Sequence, residues 1–140
     1  MAGALGVDFV AITEPYAPGG RISAPGWLQW IVGRSAILVR SSIVALQIPL
    51  TTPETVCVNL GAFSLVVTYA SPNSALDLTL SPLEADLGIL STPFLLLGDL
   101  NCRTSIIPGY QTDQRGYRFE DFLLASNLDL RNPPTPTWVR

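Results

Sequence analysis

The segment Leu97-Gly98-Asp99-Leu100-Asn101 closes an unbroken apolar run, Phe94-Leu95-Leu96-Leu97, with a carboxylate and a carboxamide two residues apart. An apolar run of this kind reads as a buried strand. Residues two apart on a strand share a face, so Asp99 and Asn101 would emerge together at a sheet edge. A strand end holds such groups rigidly where solvent and substrate arrive. Two further segments end in the same way. Glu14 follows the β-rich run Val7 to Thr13, and Pro15 bars it from right-handed helical geometry. Tyr69 ends the run Phe63 to Tyr69 and leads into Ala70-Ser71-Pro72-Asn73. Carboxylates at two strand ends form a hard, oxygen-rich site suited to Mg²⁺. Such an ion can neutralise a phosphodiester and position or acidify an attacking water. Tyr and Asn can hydrogen-bond the phosphate. Taken one at a time, each residue also has a plainer reading: a solvated carboxylate at 14, a core tyrosine at 69, an Asx turn at 99–101.

The rest of the composition narrows the chemistry. The chain has no histidine, which excludes Ser-His-Asp and Cys-His nucleophile systems and every histidine acid–base scheme. At 140 residues, 48% hydrophobic and 14% charged, it reads as one ordered globular domain or part of one, not a disordered tail. No apolar stretch approaches the roughly 20 residues of a membrane-spanning helix. Met1 to Gly6 carries no basic residue to open a secretory signal, so a soluble intracellular protein is expected. The net charge of −3 does not advertise nucleic-acid binding. All eight basic residues are nonetheless Arg, the side chain suited to bidentate phosphate contacts. Arg103 and Arg115, beyond the Gly-Asp-x-Asn segment, are candidates for that role, with surface salt bridges an equal alternative. Cys57 and Cys102 have neither metal-ligand spacing nor enough company for a disulfide scaffold, and read as buried free thiols.

Short β-rich runs at Trp27 to Val32, Ala36 to Val39 and Ile43 to Ile48 predict an antiparallel meander. Gly61-Ala62 between Thr55 to Leu60 and Phe63 to Tyr69 predicts a tight hairpin. The run Leu65-Val66-Val67, apolar on both faces, belongs inside a sheet. Ser81-Pro82-Leu83-Glu84 reads as a helix start, with Leu83, Leu87 and Leu90 on one face. A polar loop is expected from Gly98 to Gly116, then a helix from Arg118 to Ser126 ended by Asn127, then a short strand at Leu128 to Leu130. Pro133-Pro134-Thr135-Pro136 would stall the chain before Thr137-Trp138. Strands with helices between them indicate a layered α/β or α+β fold. The three tryptophans, Trp27, Trp30 and Trp138, are expected to pack in the core or at its rim.

In order along the chain, Thr-Glu-Pro-Tyr at 13–16, Tyr-Ala-Ser-Pro-Asn at 69–73 and Gly-Asp-Leu-Asn at 98–101 resemble the endonuclease/exonuclease/phosphatase superfamily. The closest resemblance is to the apurinic-like endonuclease domain of non-LTR (LINE-type) retrotransposons. Arg115-Gly116, Phe119, Phe122, Asn127-Leu128, Asn132 and Pro-Thr-Trp at 136–138 extend it. The resemblance implies a four-layer α/β sandwich of the deoxyribonuclease I-like type, with two packed, mostly antiparallel sheets flanked by helices. It implies Mg²⁺-dependent phosphodiester hydrolysis, with Mn²⁺ as the alternative ion, that nicks target DNA to prime reverse transcription. Glu14 resembles the metal-binding Glu, Tyr69 and Asn101 the residues that hold the phosphate, and Asp99 the Asp that orients or deprotonates water. Asn73, Arg103 and Arg115 are secondary candidates for the substrate phosphate. DNA would be the partner, met in the nucleus, with a reverse transcriptase domain in the parent polyprotein and no membrane.

The departures bear on activity. Residues 1–140 read as one partial domain, lacking the family's first strand with its metal-binding Asn and its final Asp- and His-bearing strands. The absent His would otherwise stabilise charge on the attacked phosphate. An impaired endonuclease is therefore expected. The alternatives are an inactive, pseudogene-derived chain with weak nucleic-acid or partner binding, and a phosphoesterase of the same superfamily acting on another ester.

Overall fold

Residues 6–131 are described by a computed structural model of the chain. Three strands, β1 (Phe9–Thr13), β2 (Trp27–Val32) and β3 (Ser35–Arg40), form one antiparallel sheet in the order β1-β3-β2. A second sheet, in sequence order, contains β4 (Leu46–Gln47), β5 (Thr55–Asn59), β6 (Ser64–Tyr69) and β7 (Phe94–Asp99). Helix α1 (Asp77–Gly88) makes the crossover between β6 and its parallel neighbour β7, and α2 (Gln114–Ser126) follows.

Strand alternation divides the core in two. Ile37 and Val39 of the first sheet meet Val56, Val58, Leu65 and Val67 of the second, all buried. The opposite face of β5 and β6 presents Cys57 and Val66 to Leu76, Leu80, Leu83, Leu87 and Phe122 of the helical layer. The described residues thus form three of the four expected layers, helix on sheet on sheet. Strand β6 is buried along its whole length because both of its faces are covered.

The predicted Gly61-Ala62 hairpin forms: Leu60 N–H donates to the Phe63 carbonyl at 2.9 Å across the two-residue link. Both tryptophans within the described residues pack as expected, Trp30 against the inter-sheet core and Trp27 beneath the Arg40 guanidinium. Cys57 is a buried free thiol; Cys102, also free, is half-buried against the helical core. Burial pushes both thiols up to about 11.

Four sequence expectations need correction. The meander stops after β3, because Ile43 N–H turns back onto the Arg40 carbonyl and the chain crosses to the second sheet. There Leu46–Gln47 pairs with β5, and β1 takes the free edge of β3. Helix α1 begins at Asp77, a full turn before the predicted Ser81 cap, with Pro82 inside it. Leu76, Leu80, Leu83 and Leu87 form a stripe at helical spacing whose burial outweighs the proline's missing donor. Ser81 donates its hydroxyl to Asp77 Oδ1 at 2.9 Å instead of capping. Helix α2 likewise begins early, because Asp113 caps it by accepting Gly116 N–H at 2.7 Å. Leu128 to Leu130 form no strand. Asn127 does end α2 in the left-handed conformation, φ 54°. Asn132, the proline-rich segment and Pro-Thr-Trp at 136–138 lie outside the described residues.

Candidate functional site

Three strand ends converge at one end of the sandwich. The β6–β7 register sets Tyr69 directly beside Asp99, and Ala70 N–H donates to the Asp99 carbonyl at 2.9 Å. Gly98 makes this close approach possible: its φ is +155°, and a Cβ there would lie 2.0 Å from the Thr68 carbonyl oxygen. From the other sheet, β1 delivers Glu14, whose Oε1 accepts the Tyr69 hydroxyl at 3.1 Å. Residues 55 apart in sequence are thereby joined side chain to side chain.

Asn101 completes the group. Its amide nitrogen donates to the Ala70 carbonyl at 2.8 Å, and its backbone N–H to Asp99 Oδ1 at 2.9 Å. Burial first, and then the bond to Glu14, raise the Tyr69 phenol above its ordinary value, which keeps it a neutral donor at pH 7. Glu14 and Asp99 themselves are exposed.

Backbone strain marks the same place. Among the described residues, four without a glycine's freedom have positive φ: Glu14 (52°), Glu54 (47°), Asn101 (51°) and Asn127. Asn127 is the helix cap; the other three lie at or beside this cluster. Such conformations cost of order 1–3 kcal/mol each and persist where surrounding bonds enforce them. For Glu14 the enforcing bond is its N–H to the Arg34 carbonyl at 2.7 Å. Pro15 keeps Glu14 out of the right-handed helical region, and the residue takes the left-handed one instead of the extended one.

The secondary candidates separate by geometry. Asn73 is exposed on the loop after β6, its N–H on Ser71 Oγ at 3.2 Å. Arg103 is exposed too, and among the described residues its guanidinium takes no partner. Arg115 is different. Its guanidinium donates to the carbonyls of Asn101 (2.9 Å), Leu100 (2.9 Å), Ser71 (3.0 Å) and Ser74. One side chain therefore fastens the loop after β6 to the loop after β7. Arg115→Ala is expected to lower stability by about 2 kcal/mol through carbonyls left without donors, measured as a shift in the urea midpoint. Arg115→Lys should restore only part of it, since an ammonium cannot fork to four acceptors.

Sequence reasoning missed Arg34 and Glu54. Arg34 Nε and Nη2 donate to the two Glu54 carboxylate oxygens at 2.7 and 2.8 Å, and the guanidinium carbon lies 4.6 Å from the Tyr69 ring centroid. Neither residue belongs to a motif, and 20 positions separate them. Only the packing of the two sheets brings them together.

No protein-family model and no curated protein matches the chain. Among solved structures, it is similar to the endonuclease domain of TRAS1, a telomere-specific non-LTR retrotransposon. The TM-score is 0.81 at 20% sequence identity, over 97% of this chain and 68% of that one. The chain therefore has the fold of such an endonuclease domain.

Proposed function

We propose that this chain is a Mg²⁺-dependent DNA endonuclease of the non-LTR retrotransposon type, nicking target DNA in the nucleus to expose a 3′-hydroxyl for reverse transcription. A reverse transcriptase domain in the same polyprotein would use that end. The observation that carries the reading is the Glu14–Tyr69 hydrogen bond, with Asp99 and Asn101 at the adjacent strand end.

The donor chemistry fits the ion. Among the described residues no group of three or more His, Cys, Asp or Glu side chains gathers. Mg²⁺ needs no such cage, since it typically takes one or two carboxylates and keeps several waters. Glu14 would hold it, with Asp99 the next carboxylate. Bound there, Mg²⁺ would neutralise phosphodiester charge and lower the pKa of a water. Asp99, exposed at the end of β7, would orient an attacking water and accept its proton on the carboxylate. Tyr69, a neutral phenol whose hydroxyl would turn from Glu14 once that carboxylate held the ion, and Asn101, fixed by its bond to Ala70, would donate to the phosphate oxygens. Asn73 and Arg103 stand at the rim where flanking phosphates would pass, and Arg115 sets the spacing of the two loops.

No histidine is available among the 140 residues to stabilise the attacked phosphate, so turnover is expected to be slow. One missing donor of that kind costs roughly 10²–10³ in rate. Supercoiled plasmid incubated with the chain tests the proposal. Slow conversion to open circles with Mg²⁺ or Mn²⁺, and none with a chelator, is expected. Equal conversion in all three conditions would sink it.

A further inference from the structure

We infer that Arg34 is a positioning residue of this site, locked by Glu54 so that its guanidinium holds the Tyr69 ring against Glu14. The inference rests on the nuclease reading for its catalytic meaning, but its geometry stands apart from it. Arg34, in the turn between β2 and β3, and Glu54, in the turn before β5, meet in a two-point fork, the arrangement that fixes a guanidinium plane most firmly. Arg34 N–H adds a third bond to Glu54 Oε1 at 3.1 Å. The turn carrying Arg34 is shaped for this partner. Gly33 has φ +56°, and a Cβ on it would lie 2.6 Å from Glu54 Cγ.

Each end of the fork is tied by main-chain bonds to a candidate site residue. The Arg34 carbonyl accepts Glu14 N–H at 2.7 Å. The Glu54 carbonyl accepts Tyr69 N–H at 3.1 Å, and the Ser35 hydroxyl at 2.7 Å. The guanidinium then covers the Tyr69 ring face, a cation–π arrangement. The backbones and the facing side chains of Glu14 and Tyr69 are thus set by one ion pair. With two donors on Glu54 and its plane on the ring, Arg34 is placed to orient the phenol, not to leave it for a ligand.

The test uses the full chain with ¹³C-labelled tyrosine, the Tyr69 ring signals being assigned by their loss in Tyr69→Phe. Arg34→Met removes the charge, Glu54→Gln releases the fork without touching Arg34, and Gly33→Ala displaces Glu54 sterically. All three should move the Tyr69 ring signals while those of Tyr16, Tyr110 and Tyr117 stay. In plasmid nicking, Arg34→Met should lower kcat roughly ten- to a hundredfold with KM little changed, as expected of a displaced catalytic group. Unmoved Tyr69 signals in folded Arg34→Met or Glu54→Gln would overturn the inference, as would a rise in KM at constant kcat, which marks a DNA contact. If the wild-type chain does not nick, the nuclease reading fails, and the ring signals still decide whether Arg34 positions Tyr69.

Discussion

Replacing Asp99 by Asn is expected to lower the proposed Mg²⁺-dependent nicking by roughly 10²–10⁴, the range lost with a general base, and to leave the fold intact. The substitution keeps the shape of the side chain and one carbonyl oxygen, so the bond from Asn101 N–H to Oδ1 can persist. What disappears is the charge that accepts a proton from water. Asp99 is exposed at the end of β7, and no other group depends on its carboxylate for burial. The urea midpoint should therefore stay within about 0.5 kcal/mol of wild type. Nicking of supercoiled plasmid at saturating Mg²⁺, measured beside the midpoint, separates the two effects. Undiminished nicking by Asp99→Asn would remove Asp99 from the chemistry and leave it as the acceptor of an Asx turn. Loss of nicking together with loss of fold would assign it a structural task instead.

The core of this site was legible because strand ends announce themselves. Glu14, Tyr69 and Asp99 each close an apolar run; Asn101 lies past the end of β7 and joins them not by strand alternation but through a left-handed backbone and its bonds to Asp99 Oδ1 and the Ala70 carbonyl. What the sequence could not convey is which remote groups hold them. The Arg34–Glu54 fork joins two sheets whose mutual placement depends on the whole inter-sheet core, Ile37 and Val39 on Leu65 and Val67. The four carbonyls on Arg115 are equally silent, since every residue has one. At α1, local signals pointed the wrong way: Ser81, Pro82 and Glu84 form a good helix start, and tertiary burial of Leu76 and Leu80 overrode it. Asp113 was hidden because Gly116, a poor helix former, stands at the third position of α2. The run Leu128-Asp129-Leu130 alternates like a strand, but among the described residues no neighbouring strand is there to pair with it.

The largest loss of stability is expected at a residue the chemistry does not use. Asp86 is 3% exposed, and its carboxylate accepts four bonds from the segment before β5. Thr51 N–H and Thr52 N–H donate at 3.0 and 2.9 Å, and the two hydroxyls at 2.9 and 2.5 Å. Burial alone would raise the Asp86 pKa, but the threonine bonds more than offset it and hold the group below its ordinary value. A depressed folded-state pKa means stability that is present above the unfolded value, about 4, and lost as pH falls through the folded one. Asp86→Asn keeps an oxygen for the three donors on Oδ2 and sets an NH₂ against the Thr51 hydroxyl, but it removes the charge from four buried hydrogen bonds, so a loss of about 3 kcal/mol at pH 7 is expected. The urea midpoint of the wild type should fall as pH drops below about 4, and that of Asp86→Asn should fall less steeply. Some slope will remain in the variant, because Arg118 and Arg34 depress Asp77 and Glu54 in the same range. Parallel pH profiles would show that Asp86 carries no charge-dependent stability. Because α1 spans the crossover between the strands that end in Tyr69 and Asp99, the anchor at Asp86 also sets the packing of that helix over both. Its loss should reach the site as a common loosening of β6 and β7, without any change in the chemistry of the groups they carry.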